Sequence, residues 1–233
     1  MPTISAGGGL RLFYRESREQ APVGTVAALL VHRAGGSSRD WLEVMSRLGR
    51  SRRLLALDLP GHGESPGPPQ QSIAEMIEVV TLFSTLLHLD APLLCGHSMG
   101  GGVALEACLR APRLAGGLLM VGSGAKLRVT HHLMTTVREH FLELPQLMGE
   151  MAFSEAAPPE VVERGLATLF DAPRETVLRD LEACNGWDAE GRVGELKPPL
   201  RVLVGRDDVM TPPRLARRLA ERVGGATVEV LPR

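Results

Sequence analysis

Short apolar runs alternate along the chain with stretches whose apolar positions recur every three or four residues. Thr25–His32, Arg53–Leu59, Pro92–Gly96, Gly117–Val121 and Leu200–Gly205 are brief, apolar and bounded by Gly, Pro or Asp, the pattern of parallel strands buried on both faces. Leu10–Glu16 alternates apolar with polar positions and reads as a half-exposed strand, and Ala226–Leu231 reads as a last strand. Ser72 and Glu75 form a capping box ahead of Met76, Ile77, Val80, Phe83, Leu86 and Leu87, which share one helical face. Met99–Arg110 follows a Gly-rich turn, and Thr211-Pro212 reads as an N-cap with proline at the first helical position. This rhythm predicts an α/β fold, a mostly parallel central sheet flanked by helices.

One stretch departs from the alternation. From Lys126 to Glu190 the pattern is helical throughout, which predicts a helical cap inserted after the sixth strand. The chain then divides into an α/β core at residues 1–125 and 191–233 and a lid at residues 126–190. Met134, Phe141, Leu144, Leu147, Met148, Met151 and Phe153 give the insertion an apolar surface, either to line a substrate cavity or to pack cap against body.

Composition narrows the function classes. The 26 basic and 27 acidic residues leave a formal charge of -1 and form no basic cluster, so the electrostatic case for nucleic acid is absent. The apolar runs are far too short to span a bilayer. The first residues, Met1-Pro2-Thr3-Ile4-Ser5, lack the pattern of a signal peptide. Three cysteines without CxxC or Cys/His spacing read as small core residues of a reducing compartment. The expectation is a cytoplasmic protein with no disulfide framework, no metal site and no membrane partner. No cofactor is signalled, because Gly7-Gly8-Gly9 does not follow a strand.

The sharpest chemical signal is Gly96-His97-Ser98-Met99-Gly100, directly after one predicted strand and at the start of a predicted helix. A G-x-S-x-G in that context is a nucleophile elbow, a turn so tight that its flanking residues must be small and its serine is thrust clear of the sheet. Backbone N–H groups at the helix start also favour a developing oxyanion.

With that elbow the chain resembles the α/β-hydrolase family, and four segments match in order. Leu30-Val31-His32-Arg33-Ala34-Gly35-Gly36-Ser37 resembles the oxyanion loop, and Asp58-Leu59-Pro60-Gly61-His62-Gly63-Glu64-Ser65 the Pro-Gly-His-Gly turn. Gly96–Gly100 is the elbow, and Gly205-Arg206-Asp207-Asp208 followed by Pro212 resembles the turn that delivers the catalytic acid. The resemblance implies Ser98 as nucleophile, Asp208 (with Asp207 ranked second) as the acid supporting a histidine base, and the N–H groups of Ala34 and Met99 as oxyanion donors. It implies an esterase- or lactonase-like serine hydrolase that acts, without a cofactor, on an acyl bond of a small to medium apolar substrate.

Two departures from the family pattern bear on activity. The family's histidine lies just after the last strand, where this sequence reads Leu231-Pro232-Arg233. The expectation is therefore a C-terminally incomplete core without the catalytic histidine, whose uncovered edge could pair with a second copy. Of the seven histidines, His32 and His62 belong to structural loop motifs, and His88 ends a surface helix. His97 is expected to point into the sheet, and His131, His132 and His140 lie in the insertion. The second departure is Arg33, where the family keeps glycine; it either distorts the Ala34 donor or turns outward. A non-catalytic protein that binds a small ligand under the lid, or an inactive truncated product, are the alternatives.

Overall fold

In the computed structural model of the chain, the described residues are 2–17, 27–168 and 172–232. Thr25 and Val26, at the head of the first predicted parallel strand, and Arg233 lie outside them. Among the described residues an eight-stranded sheet runs in the order β1-β2-β4-β3-β5-β6-β7-β8. Its members are β1 (Thr3–Ser5), β2 (Arg11–Glu16), β3 (Ala28–Val31), β4 (Leu54–Leu57), β5 (Leu93–His97), β6 (Gly117–Val121), β7 (Leu200–Gly205) and β8 (Thr227–Leu231). β1 and β2 pair antiparallel with their neighbours, and every pairing from β4 to β8 is parallel. This is an α/β-hydrolase fold, as the sequence predicts.

Helices cover both faces. α1 (Leu42–Leu48) follows β3, α2 (Ile73–Leu86) follows β4, α3 (Met99–Arg110) follows β5, and α8 (Pro213–Arg222) joins β7 to β8. The Ser72 side chain accepts from the Glu75 N–H, and Glu75 Oε2 accepts from the Gln71 N–H, which fixes the start of α2. Ile73, Met76, Ile77, Val80 and Phe83 then face inward. Each such residue, fully buried, contributes about 1.5–3 kcal/mol, and the Phe83 ring meets Tyr14 edge-on at 5.1 Å. Cys95, Cys108 and Cys184 are buried and unbridged.

Two local expectations are corrected. β2 does not alternate: Leu12 and Tyr14 join the main core, and Phe13 on the other face is also buried, with the Arg15 guanidinium over its ring and its N–H donating to Ser65 Oγ. Thr211 does not cap α8, whose N-cap is Pro212 without a side-chain bond; its hydrogen bonds go to Asp208 instead.

Between β6 and β7 the chain forms α4 (His131–Glu139), α5 (Leu144–Met151), α6 (Pro159–Ala167) and α7 (Arg174–Asn185). This segment has its own apolar cluster of Leu133, Val137, Leu144, Leu147, Val177 and Leu181, separate from the main core. At its exit the buried Glu106 of α3 accepts from Arg192, Arg110 and Trp187 Nε1, tying the returning chain to the body.

The strand order reverses between β3 and β5, the place where an open parallel sheet leaves a crevice at its C-terminal edge. Val31 pairs with Gly96, Gly96 with Met120, and Val121 with Leu203. The loops that follow these strands therefore open on one edge.

Candidate active site

Ser98 sits where β5 turns into α3, with φ 51° and ψ -116°. This is a strained conformation for a residue with a side chain, of the kind held only where the surroundings fix it. The surroundings here are specific. The Ser98 N–H donates to the Val121 carbonyl (2.9 Å), and Ser123 Oγ donates to the Ser98 carbonyl (2.8 Å). A Cβ on Gly96 would collide with the Gly100 backbone, and one on Gly100 with the Val31 and His32 carbonyl oxygens. Both flanking positions must therefore be glycine.

Ser98 lies on the wall of a cavity of about 970 Å³ between the strand ends and the β6–β7 helical segment. Leu144, Met148, Met151 and Phe153 line it, whereas Met134, Phe141 and Leu147 pack within the segment. These apolar residues of the segment thus divide between lining a cavity and forming the segment's own cluster, rather than packing it against the body. Ala34, Asp207 and Asp208 also line the cavity. Met99 is fully buried beneath the elbow. Among the described residues, the N–H groups of Ala34 and Met99 donate to no other protein group.

Asp208 is held by one residue. The Thr211 N–H donates to Oδ1 (2.7 Å) and the Thr211 hydroxyl to Oδ2 (2.8 Å). Asp207 Oδ2 accepts from Ser154 Oγ of the helical segment at 2.9 Å.

His97 departs from its expected orientation. It lines the cavity at the end of β5, on the face of Cys95 and beside its strand partner Val121. A Cβ on Gly122 would stand 3.4 Å from Asp208 Oδ2 and 3.6 Å from His97 Nε2, so the two side chains flank that glycine. Burial pushes the His97 imidazole down to about 4, the Arg33 charge acts in the same sense, and Asp208 opposes them. His97 is thus neutral at pH 7. His131, His132 and His140 do not line the cavity.

Arg33 neither turns outward nor occupies open solvent. Its side chain lies under the helical segment, 16% exposed. Nη2 donates to Thr168 Oγ1 (2.9 Å), Nη1 to the Ala34 carbonyl (3.1 Å), and Nε lies 3.5 Å from Asp40 Oδ2.

The other two loop motifs are braces. His32 Nδ1 donates to the Arg33 carbonyl (2.8 Å), and Nε2 accepts from the Leu59 N–H (3.2 Å). Burial and the nearby His62 charge keep His32 well below its ordinary pKa, in keeping with that neutral tautomer. Asp58 accepts from the N–H groups of Ser38 and Glu64, joining the loop after β3 to the loop after β4.

Sequence reasoning missed Asp180, which the structure places in full burial against both loops. The signal was present: Val177, Leu181 and Cys184 mark the inner face of α7, and Asp180 falls on it. Among the described residues, no helix is long and apolar enough to cross a membrane, and no three His, Cys, Asp or Glu side chains gather as metal ligands.

Three likenesses place the chain among known proteins. The protein of Agrobacterium fabrum named "Putative carbamate hydrolase RutD" is 30% identical over 211 residues, which is 83% of this chain and 79% of that protein. A hydrolase from Pseudomonas aeruginosa superposes with a TM-score of 0.87 at 24% identity, covering 99% of this chain and 89% of its own. A thermophilic esterase superposes with a TM-score of 0.82 at 26% identity, covering 99% and 87%. The model of the "Alpha/beta hydrolase family" matches residues 28–233, and the chain belongs to that family.

Proposed function

We propose that the chain is a serine hydrolase that cleaves an ester-type acyl bond, in a carboxylic ester, lactone or carbamate, of a small to medium apolar substrate. The observation that carries this reading is Ser98, strained at the head of α3 and facing an apolar cavity of a size that suits small-molecule ligands. Ser98 Oγ would attack the acyl carbon, and the N–H groups of Ala34 and Met99 would receive the oxygen as it gains charge. Asp208, fixed by Thr211, would be the acid of the site. Residues 126–190 would serve as the lid over a core formed by 1–125 and 191–233. The names of the A. fabrum relative and of the thermophilic esterase, carbamate hydrolase and esterase, refer to bonds of this class.

The base is the weak part of the site. His97 is the histidine on the cavity wall, and a pKa of about 4 makes it a poor proton acceptor at neutral pH. With these residues alone, an oxyanion hole and binding support turnover of about 10³–10⁴ over water. Hydrolysis of p-nitrophenyl butyrate tests the reading, with a Ser98-dependent rate expected. A rate that Ser98→Ala leaves unchanged would contradict it.

A second reading follows from Asp208. Both of its carboxylate oxygens are engaged by Thr211, and among the described residues no hydrogen bond joins it to a histidine. On this reading the cavity binds a small apolar ligand without turnover. Calorimetry would then show saturable binding of butyrate esters that persists in Ser98→Ala.

A further inference from the structure

Ala34 is flanked by two residues that are both tied to the β6–β7 helical segment. On one side, Arg33 Nη2 donates to Thr168 Oγ1. On the other, the Gly35 N–H donates to Asp180 Oδ2 at 2.7 Å. α7 also presses on the same point. Gly35 has φ +62°, and Val177 Cγ2 lies 2.9 Å from where its Cβ would stand. Val177 and Asp180 are neighbours three residues apart on one face of the helix.

Asp180 is fully buried, and its Oδ2 also faces His62 Nε2 at 2.8 Å. His62 Nδ1 lies 3.1 Å from the Pro60 carbonyl, which only accepts, so Nδ1 carries a proton. Nε2 carries the second, toward the carboxylate. Burial opposes this imidazolium, but the Asp180 charge and hydrogen bond outweigh it and the pKa of His62 is raised. A lone buried carboxylate would be strongly unfavourable, and His62 compensates it.

An amide in place of Asp180 cannot meet both demands. With asparagine there, His62 loses the larger of the two negative charges beside it, Asp58 being the lesser, and the neutral ring keeps its proton on Nδ1, leaving a lone pair at Nε2. An amide oxygen facing Gly35 would also face that lone pair, and an NH2 turned to His62 would face the Gly35 donor. Adhesion of α7 does not by itself require Asp180, because Thr176 Oγ1 donates to the Gly61 carbonyl and Val177 and Leu181 pack below.

We propose that Asp180 is a positioning residue for the oxyanion loop: paired with His62, it fixes the peptide between Ala34 and Gly35 and thereby the setting of the Ala34 N–H. The docking of the helical segment and the readiness of the oxyanion hole are then one event. The catalytic consequence rests on the hydrolase reading above; the geometry of the loop does not.

The test has two arms on the full chain. By amide NMR, Gly35 should be shifted downfield and slow to exchange in the unmodified protein. Asp180→Asn should speed its exchange by roughly tenfold or more, while Thr176→Val leaves it unchanged and only lowers the melting temperature. In ester hydrolysis, Asp180→Asn should lower kcat on the order of 100-fold with KM held within about twofold. A Gly35 amide that exchanges like an exposed glycine in the unmodified protein would overturn the proposal, even if Asp180→Asn does not fold. So would an Asn variant that shifts KM alone. If the unmodified protein shows no Ser98-dependent turnover, the hydrolase reading fails, and the amide arm still decides for or against Asp180.

Discussion

Thr211 donates twice to Asp208, its N–H to one carboxylate oxygen and its hydroxyl to the other, at 2.7 and 2.8 Å. The pair closes the turn after β7 and holds the carboxylate rigid on the cavity wall beside Gly122. A residue foreseen as a helix cap is therefore part of the site.

Replacing Thr211 with valine removes the hydroxyl donor but keeps the N–H. A hydrogen bond to a charged acceptor contributes about 1.5–3 kcal/mol, and this half-buried one is expected at the lower end. Thermal melts of Thr211→Val should show that loss, together with a lower kcat for p-nitrophenyl butyrate. A variant with the same melting temperature and the same kcat would show that the Thr211 hydroxyl does not hold Asp208.

The elbow makes a sterner demand on packing. Alanine at Gly100 would drive a Cβ into the carbonyl oxygens of Val31 and His32, which β3 cannot move without breaking its pairing to β5. The expected cost is about 3 kcal/mol, or roughly 6–12 °C in melting temperature for a chain of this size. A melting temperature equal to that of the unmodified protein would show that the helix does not approach β3 as described.

Acid should destabilise the fold through its neutral histidines. An unfolded histidine binds its proton near pH 6.5, whereas folded His97 does so only near 4 and folded His32 well below 6.5. Between those limits the unfolded chain holds more protons, so stability falls as pH drops from 6.5 toward 4. His62 runs the other way: its raised pKa contributes stability below 6.5 that is lost as pH rises through the folded value. Melts at pH 7 and pH 5 should differ less in His97→Asn than in the unmodified protein. An NMR titration of Arg33→Met should find the His97 pKa above 4 yet still below 6.5, because burial, the larger cause, remains. A His97 pKa that ignores Arg33 would contradict the placement of the guanidinium.

Much of this was legible in the sequence, for physical reasons. β3 to β6 are largely buried on both faces and so leave continuous apolar runs, whereas β7, expected to be buried likewise, is buried on one face and exposes Arg201 on the other; the elbow's steric demand leaves its glycines. The misses have causes of the same kind. β1 is three residues long, too short to show a period. α1 buries none of its residues and exposes Leu42, Val44 and Leu48, so it carries no inward stripe. His97 ends β5, where the strand pattern does not tell whether the side chain meets the sheet or the crevice beyond it, and the partners of Asp180 lie more than a hundred residues away. Local pattern reports neither.

As the proposed nucleophile, Ser98 is expected to form a covalent acyl intermediate. In the first step the Ser98 hydroxyl gives up its proton to water or to the weakly basic His97 as p-nitrophenolate, a good leaving group, departs without help from an acid. In the second, water must lose its proton to the same weak acceptors while the far poorer serine alkoxide is expelled. With His97 protonating only near pH 4, the second step should be slow and the intermediate should accumulate. Intact mass spectrometry after mixing with p-nitrophenyl butyrate and quenching in acid reads this directly. A single butyryl adduct is expected, mapped to Ser98 and absent from Ser98→Ala. An adduct that persists in Ser98→Ala, or none in either protein, would contradict it.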